Sequence, residues 1–380
     1  MFWLALIDLV IVAAAMAVLV RGNRSIQFLR DVGAALPPKP PRVSLIIAAR
    51  DEARNIEAAL NSLLAQDYPD FEIIVVDDRS TDATPQILTR VRAENPQLTV
   101  VTIGVLPAGW LGKNHALQSG AAAATGDILI FADADIVMRA DTLRRAVAHA
   151  LAASRDHIAI TPEMIAPGVV LGMFMSAFTM FFSLFARPWN AADPKSPCFI
   201  GIGAFNLMRA SVYRAVGGHT RIAMRPDDDI KLGKIIKDAG FAQEMLFGRG
   251  LIGVEWYPSV SALARGLEKN TLAGVEYKVA AIVGGALVQL AVFVWPFAAL
   301  IFTSGVAFAL YAAACLLMLA ACVDQTRFVG VSPYHAAGLP FATLLFIGIL
   351  LRATYVTLRD GGINWRGTHY SLAALKSNRI

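Results

Sequence analysis

The feature that most constrains this chain is a long stretch without charge, from Val279 to Val323, which contains no Asp, Glu, Lys or Arg. A membrane-spanning helix needs about 20 apolar residues, so this stretch is long enough for two such helices. The predicted turn between them is Thr303-Ser304-Gly305. A second charge-free stretch, Val329 to Leu351, is interrupted by prolines and predicts one further span that begins near Leu339. We therefore expect a membrane region of about three helices over residues 279–357.

The amino-terminal segment predicts another membrane helix. Trp3 to Val20 is apolar except for Asp8, and basic residues follow it at Arg21, Arg24 and Arg30. A signal peptide carries its basic residues before the apolar run, so we expect an uncleaved anchor with its N-terminus outside. The positive-inside rule then predicts that the next domain is cytoplasmic. Together with the spans above, this leads us to expect a multi-pass protein of the inner (cytoplasmic) membrane. The composition, 56% hydrophobic with a mean hydropathy of +0.54, agrees with membrane spans.

Between the membrane segments, short apolar runs alternate with segments of helical spacing, which predicts an α/β layer architecture. The clearest helical spacing runs from Glu52 to Gln66. The runs that predict buried parallel strands are Val43–Ala49, Phe71–Val76, Leu98–Ile103 and Ile128–Phe131.

Carboxylates follow these predicted strands at their carboxyl ends, where open sheets of this kind bind ligands. Asp133 and Asp135 are two positions apart, a spacing that points both side chains to one side of a strand. Mg²⁺ and Mn²⁺ favour such oxygen ligands, with substrate phosphates completing the coordination. The alternative is that one aspartate caps the next helix while the other is solvated. The full set of acids at strand ends is Asp51, Glu52, Asp77, Asp78, Asp133 and Asp135.

Two further features supply charge. Lys113 precedes a predicted Ala-rich helix and would neutralise a phosphate, although a solvated surface lysine is the alternative. Asp227-Asp228-Asp229 precedes another helical pattern, where the helix dipole favours acids. One or two acids would satisfy that structural role, whereas three in a row repel one another. We therefore expect at least one of the three to have a chemical task.

Charge and cysteine content narrow the functional classes. The net charge of +5 suits contact with anionic lipid headgroups, and the absence of a dense basic run argues against nucleic acid as a partner. The three cysteines predict neither a disulfide nor a zinc site, because Cys315 and Cys322 fall in a predicted span and Cys198 in a loop.

Five ordered stretches resemble glycosyltransferase family 2, the inverting transferases of the GT-A fold. The resemblance covers residues 43–270. It implies a nucleotide-diphospho-sugar transferase domain, with a mixed, mostly parallel sheet flanked by helices, joined here to transmembrane helices. The matching stretches are Val43–Glu52 (VSLIIAARDE), Ile73–Asp82 (IIVVDDRSTD), Gly126–Asp135 (GDILIFADAD), Gly201–Phe205 (GIGAF) and Asp228–Gly240 (DDIKLGKIIKDAG).

A narrower resemblance is to the membrane subgroup that includes hopanoid-associated, carotenoid and ceramide-type glycosyltransferases. It rests on Gly109-Trp110-Leu111-Gly112-Lys113, on the amino-terminal anchor and on Trp365-Arg366-Gly367.

The family resemblance implies roles for individual residues. Asp133 and Asp135 would hold a Mg²⁺ or Mn²⁺ ion on the diphosphate, and Lys113 would approach the diphosphate or the base. Asp229 would be the catalytic base, with Asp228 or Asp227 as the second choice. The residues that would line the nucleoside pocket are Ala48, Arg50, Glu52 and Asp78, with Asp78 bonded to the base.

The sequence departs from the family pattern in two places. Arg50 stands where an aromatic residue is common, which leaves the preference between UDP- and GDP-sugars open. The Gln-x-x-Arg-Trp motif of processive polysaccharide synthases is absent, and Arg265 and Lys269 lie in its place. These two are one helical turn apart on one face. They would either bind the leaving diphosphate or act as juxtamembrane anchors.

The combined expectation is a membrane-bound inverting hexosyltransferase that moves a sugar from a nucleotide donor to a lipid or lipid-linked acceptor at the cytoplasmic face. A processive polysaccharide synthase and a non-catalytic scaffold or transporter subunit are the alternatives. The expected domains are an anchor at 1–22, a Pro-rich linker at 23–42, the transferase domain at 43–270, the membrane region at 279–357 and a basic tail at 358–380.

Two questions of membrane topology stay open in the sequence. Met164 to Ala186 is uncharged and long enough to span, but a span there would put Asp135 and Asp229 on opposite sides. We therefore expect an interfacial helix, a lipid-facing wall or a core helix. Four spans would also place the basic tail outside, whereas the positive-inside rule favours the cytoplasm.

Overall fold

The computed structural model describes all 380 residues and divides into two compact units. The first, here called the sheet unit, contains residues 26–163, 188–254 and 373–380. The second, the helical unit, contains residues 1–25, 164–187 and 255–372. The expected transferase domain was one continuous segment, 43–270. The sheet unit is instead assembled from three segments, and it includes the end of the tail.

A seven-stranded sheet in the order β3-β2-β1-β4-β8-β6-β9 forms the centre of the sheet unit. Strand β8 is antiparallel to β4 and β6, and the other pairs are parallel. The expected mixed, mostly parallel sheet is therefore confirmed. There are two smaller sheets, one of three strands in the order β5-β10-β7 and one of two strands, β11-β12. The strands are β1 (Val43–Ala49), β2 (Phe71–Asp78), β3 (Leu98–Ile103), β4 (Ile128–Ala132), β5 (Val137–Met138), β6 (His157–Thr161), β7 (Glu163–Ile165), β8 (Asn206–Arg209), β9 (Gln243–Phe247), β10 (Ile252–Glu255), β11 (Gly362–Trp365) and β12 (Thr368–Ser371).

The central strands form because their aliphatic side chains are buried, as continuous apolar runs predict. In β1, Leu45, Ile46 and Ile47 have no exposed surface. The ends of the strands differ slightly from the predictions. Strand β2 continues through Asp78, and β4 ends at Ala132, so Asp133 follows the strand and Asp135 lies in a turn.

The α-helices flank the sheet or form the helical unit. The helix predicted from Glu52 begins only at Ile56, because the side chains of Thr84 and Asp82 hold the backbone N–H groups of Glu52 and Ala53 in a loop. The helices are α1 (Phe2–Ser25), α2 (Ile56–Leu64), α3 (Thr84–Glu94), α4 (Gly112–Ala123), α5 (Thr142–Ala152), α6 (Val169–Ala186), α7 (Ala210–Ala215), α8 (Asp228–Asp238), α9 (Val260–Thr271), α10 (Val279–Gln289), α11 (Trp295–Phe302), α12 (Gly305–Val329), α13 (Leu339–Arg359) and α14 (Leu372–Ser377).

Five helices are long and apolar enough to cross a membrane. The predicted turn lies at Thr303 and Ser304, between α11 and α12, and α13 begins at the predicted Leu339. A π-helical turn, Leu290–Val294, joins α10 to α11. The five segments are Phe2–Ser25, Val169–Asn190, Val279–Phe302, Gly305–Val329 and Pro333–Arg359.

Candidate active site

The acids that follow β4 and those that begin α8 meet around one lysine. The Lys113 ammonium, at the start of α4, lies 2.9 Å from Asp133 Oδ1 and 3.5 Å from Asp228 Oδ2. Burial lowers the pKa of Lys113, but the neighbouring carboxylates outweigh that effect and raise it above its ordinary value. Lys113 is therefore a fixed positive charge among acids rather than a solvated surface lysine.

The three adjacent aspartates have different partners. Asp227 accepts two hydrogen bonds from the buried Arg225 guanidinium, at 2.9 and 2.8 Å, and lies 3.8 Å from Lys231 Nζ. Asp228 is buried and faces Lys113. Asp229 accepts from backbone N–H groups and has no basic residue within ion-pair distance. The carboxylate of Asp229 is thus the least neutralised of the three.

Asp229 is held in place by the backbone on both sides. Its Oδ2 accepts from the Gly203 N–H and its Oδ1 from the Ile230 N–H, each at 2.8 Å. Burial, and then the Asp228 carboxylate, raise the pKa of Asp229 to about 6, against the opposing effect of Lys113. A carboxyl with a pKa near the working pH is a more effective proton acceptor than an ordinary aspartate.

The glycines of the GIGAF stretch allow this close approach. A Cβ on Gly201 would overlap the carbonyl oxygen of Asp229. A Cβ on Gly203 would lie 2.8 Å from Asp133 Oδ2, while the Gly203 N–H binds Asp229. These glycines therefore let the loop before β8 bring the β4 acid and the α8 acid together. A pocket at this point is lined by Lys113, Asp133, Gly203, Asp228 and Asp229, among others.

Two residues to which the sequence assigned no role support the acids. Asn114 has no exposed surface, and its Nδ2 donates to the carbonyls of Ile222, Ala223 and Arg225 at 2.7, 3.2 and 2.9 Å. Arg225, 1% exposed, pairs with Asp227. The sequence shows that Asn114 follows Lys113 and that Arg225 lies two residues before the three acids. It does not show which groups Asn114 and Arg225 bind.

Asp133 and Asp135 form a donor set that suits a hard divalent cation. Burial, followed by the charges of Asp133 and Glu52, raises the pKa of Asp135 to about 7. Carboxylates crowded in this way are relieved by a cation, and Mg²⁺ typically takes one or two of them together with substrate phosphates. No group of three or more His, Cys, Asp or Glu side chains is placed to hold an ion without a substrate. The residues present fit a metal shared between protein and diphosphate.

The expected nucleoside residues lie at the ends of β1 and β2. Asp78 is buried, and its carboxylate accepts two hydrogen bonds from Arg79, at 2.8 and 3.0 Å. Arg50 Nη1 lies 3.8 Å from Asp78 Oδ2. Ala48, on β1, is paired with Val76 on β2, the strand that ends at Asp78. The structure therefore brings Arg50 and Asp78 together and adds Arg79, which the sequence reading missed.

The loops after β1 and β2 are tied to each other. Asp51 Oδ1 accepts from the backbone N–H groups of Thr81 and Asp82, at 2.7 and 3.3 Å. These bonds, the Thr81 backbone bond first, lower the pKa of Asp51. Asp51 adopts a left-handed conformation, with φ 54°, and its N–H binds Ser80 Oγ. The loop that carries Arg50 and Glu52 is thereby fixed, and Asp51 has a structural role.

Arg265 and Lys269 both lie on α9, in the helical unit. The Lys269 ammonium is 4.1 Å from the centre of the Trp365 ring, on the β11-β12 hairpin. This cation–π contact stabilises the hairpin against α9.

The arrangement of strands and helices is an α/β fold of the GT-A type, and Asp78 and Asp133 lie at the carboxyl ends of its strands. The fold is similar to that of a mannosyltransferase from Pyrobaculum calidifontis, solved in complex with GDP-Man and Mn²⁺. That comparison covers 94% of this chain and 99% of the other, with a TM-score of 0.56 and 22% sequence identity.

Residues 44–217 match the family model for Glycosyl transferase family 2. The chain is 42% identical over 109 residues to the beta-monoglucosyldiacylglycerol synthase of Synechocystis sp., which is 28% of this chain and 22% of that protein. It is 26% identical to the 4,4'-diaponeurosporenoate glycosyltransferase of Staphylococcus haemolyticus, over 62% of each chain. The Staphylococcus aureus protein of that name is 24% identical over 87% of this chain and 88% of its own.

Proposed function

We propose that this protein is a membrane-bound inverting glycosyltransferase that moves a hexose from a nucleotide-diphosphate donor to a lipid or lipid-linked acceptor. The single observation that carries the proposal is the carboxylate of Asp229. It is fixed by two backbone N–H groups, is not paired with a basic side chain, and lies beside the lysine and the acids that would hold a diphosphate.

Donor binding would use the residues at the ends of β1, β2 and β4. Ala48, Arg50, Glu52 and Asp78 would contact the nucleoside, and Lys113 would stabilise negative charge on the diphosphate. A Mg²⁺ or Mn²⁺ ion held by Asp133 and Asp135 would supply further positive charge to the leaving group. The mannosyltransferase solved with GDP-Man and Mn²⁺ supports this combination of ligands.

The acceptor half of the reaction would use Asp229. An inverting transfer needs a base that takes the proton of the attacking hydroxyl as the new glycosidic bond forms. Asp229, with its pKa raised to about 6, would accept that proton at neutral pH. Asp228, which is paired with Lys113, would tune the charge at the site and is the second candidate.

A lipid acceptor is supported by two kinds of observation. The long apolar helices of the helical unit imply that the protein works at a membrane. The names of the relatives, a glucosyldiacylglycerol synthase and diaponeurosporenoate glycosyltransferases, describe lipid-type acceptors. The basic residues that follow the apolar run of α1 support a transfer at the cytoplasmic face of the membrane.

Helix α6 would contact the membrane without crossing it. Strand β6 precedes α6 in the chain and β8 follows it, and the two strands are paired in one sheet. If the helix between them crossed the membrane, the two strands would lie on opposite sides of it and could not form their backbone hydrogen bonds. We therefore propose that α6 is a lipid-facing or interfacial helix despite its length.

The proposal is tested with purified protein, a panel of UDP- and GDP-sugars, Mn²⁺ or Mg²⁺, and total bacterial lipids. Wild type is compared with Asp229→Asn, Asp135→Ala and Asp238→Asn, the last being an exposed acid at the other end of α8. We expect glycolipid formation that EDTA abolishes, that Asp238→Asn retains and that Asp229→Asn lowers by about 10²–10⁴-fold. Anomeric inversion is checked by NMR of the product.

The outcomes separate the alternatives. A folded wild type that neither binds nor turns over any donor would favour a scaffold over an enzyme. A product that grows by repeated sugar addition would favour a polysaccharide synthase. Full activity of Asp229→Asn would remove Asp229 from the role of base.

A further inference from the structure

The tail segment Ala373–Ile380 returns to the sheet unit after the last long apolar helix. Asn378 makes both of its side-chain hydrogen bonds to one short stretch of backbone. Its Oδ1 accepts from the Met224 N–H and its Nδ2 donates to the Arg221 carbonyl, each at 2.9 Å. The side chain of Asn378 thus bridges both ends of the segment Arg221–Met224.

This segment leads directly into the acids of the candidate active site. Arg225 follows it and pairs with Asp227, and α8 begins at the next residue, Asp228. On its other side, the segment is held by Asn114, next to Lys113. The segment is therefore fixed by two asparagines, one from α4 and one from the tail.

The tail also makes an apolar contact with the rest of the sheet unit. Ile380 is partly buried against the core cluster that contains Ile222 of the segment and Leu232 and Ile236 of α8. The polar contacts of the tail therefore hold the segment before α8, and its apolar contact is with the cluster to which that segment and α8 both contribute.

We propose that Asn378 is a positioning residue for the transfer reaction: the tail holds Arg221–Met224 so that Asp228 and Asp229 face Lys113 and Asp133. This inference rests on the proposed function, because it takes these acids to be the reacting ones. Misplacement of a reacting group by about 1 Å can cost on the order of 100-fold in rate. The tail would therefore set the turnover number without contacting the donor.

The test compares Asn378→Ala with Ser377→Ala in the full-length protein. Ser377 is the neighbouring residue, and its hydroxyl bonds only within the tail, to the Ala374 carbonyl. We expect Asn378→Ala to lower kcat by about tenfold or more while the donor KM stays unchanged, and Ser377→Ala to behave as wild type. Asn378→Asp keeps an acceptor for Met224 and should lie between the two.

Amide hydrogen exchange gives a readout that does not need activity. Asn378→Ala should speed exchange in peptides that cover residues 221–225 and leave exchange in β1 and β2 unchanged. Faster exchange in every peptide would mean general unfolding, and the same comparison would then be made with Asn378→Asp. Unchanged exchange, or faster exchange with unchanged kcat, would overturn the inference. An inactive wild type would refute the proposed function, and the exchange data would still decide whether Asn378 holds the segment.

Discussion

At the scale of single residues, the three adjacent aspartates are distinguished by what neutralises them. Asp227 is bound by Arg225, Asp228 by Lys113, and Asp229 by backbone N–H groups. The same residue type therefore has three different environments within three consecutive positions, and only Asp229 has no basic side chain as its partner. The number of acids indicated a chemical role, but only their partners separate the three.

Removal of Asp227 should destabilise the protein, because the Arg225 guanidinium, which is 1% exposed, would lose both of its hydrogen bonds to the Asp227 carboxylate. Breaking a buried ion pair in this way costs about 3–5 kcal/mol. We expect Asp227→Ala to lower the midpoint of thermal unfolding clearly. Asp238→Ala, which removes an exposed pair with Lys234, should cost about 0–1 kcal/mol. Equal midpoints for the two variants would contradict this assignment.

His157, at the start of β6, should make stability depend on pH. Its ring is fully buried, with Nε2 3.0 Å from Asn206 Oδ1 and Nδ1 accepting from Gln243 Nε2 at 2.8 Å, a pattern that requires the neutral ring. Burial lowers its pKa to about 4, although the Asn206 bond opposes this. Between an unfolded pKa near 6.5 and this value, only the unfolded chain takes up the proton.

The contribution of His157 to stability is therefore fully present above about pH 6.5 and is lost as the pH falls towards 4. The total loss is on the order of 3 kcal/mol. Thermal unfolding measured from pH 7.5 to 4.5 should show a shallower decline for His157→Gln than for wild type. Parallel curves would show that the ring is charged, or exposed, in the folded protein.

At the scale of elements, α8 is positioned by a loop that has no room for a side chain at Gly201. Gly201 packs against the Asp229 backbone, and its neighbour Ile202 donates its N–H to Asn206 Oδ1. Gln243, on β9, accepts from the Ile200 N–H and donates to the Gly233 carbonyl on α8. The loop, β9 and α8 therefore form one hydrogen-bonded assembly.

Gly201→Ala should displace the start of α8, because the added methyl group overlaps the Asp229 carbonyl. Overpacking of this kind typically costs about 1–3 kcal/mol of folding stability. We expect a clear loss of transfer activity in a protein that remains folded. Gly253→Ala is the matched control, since a Cβ there meets no atom within 4 Å. Wild-type activity of Gly201→Ala would contradict the close packing of this loop.

The sequence predicted the elements whose signal is local. Strands β1 and β3 begin and end as their apolar runs do, and the turn before α12 falls where apolar residues give way to the polar Thr303 and Ser304. The start of α2 was missed because it depends on Thr84 and Asp82 from another loop. Arg79 and Asn378 were missed for the same reason: their roles come from partners that sequence spacing does not reveal.

At the scale of the whole molecule, the tail constrains the membrane topology. Both β10 and the tail contribute to the sheet unit, so the chain between them must cross the membrane an even number of times. Three apolar segments lie in that interval: Val279–Phe302, Gly305–Val329 and Pro333–Arg359. We therefore expect either two of the three segments or none of them to cross completely, so that the basic tail lies on the same side of the membrane as the acids of the candidate site.

Cysteine labelling in oriented membrane vesicles tests this topology. In a background with the three native cysteines replaced by serine, Val105→Cys marks the sheet unit and Lys376→Cys marks the tail, both at exposed positions. A membrane-impermeant maleimide should label both only in inside-out vesicles. Labelling of the two positions from opposite sides would contradict an even number of crossings.

The insertion of α6 between paired strands also bears on how the protein is made. Strand β6 leaves the ribosome before α6, while its partners β8 and β9 leave after it. Chains grow at about 5–20 residues per second, so the apolar α6 is exposed for seconds before the sheet that anchors its two ends can form. Capture of α6 by the bilayer would therefore precede closure of the sheet. Synthesis without a membrane should then yield aggregates rather than a soluble catalytic unit.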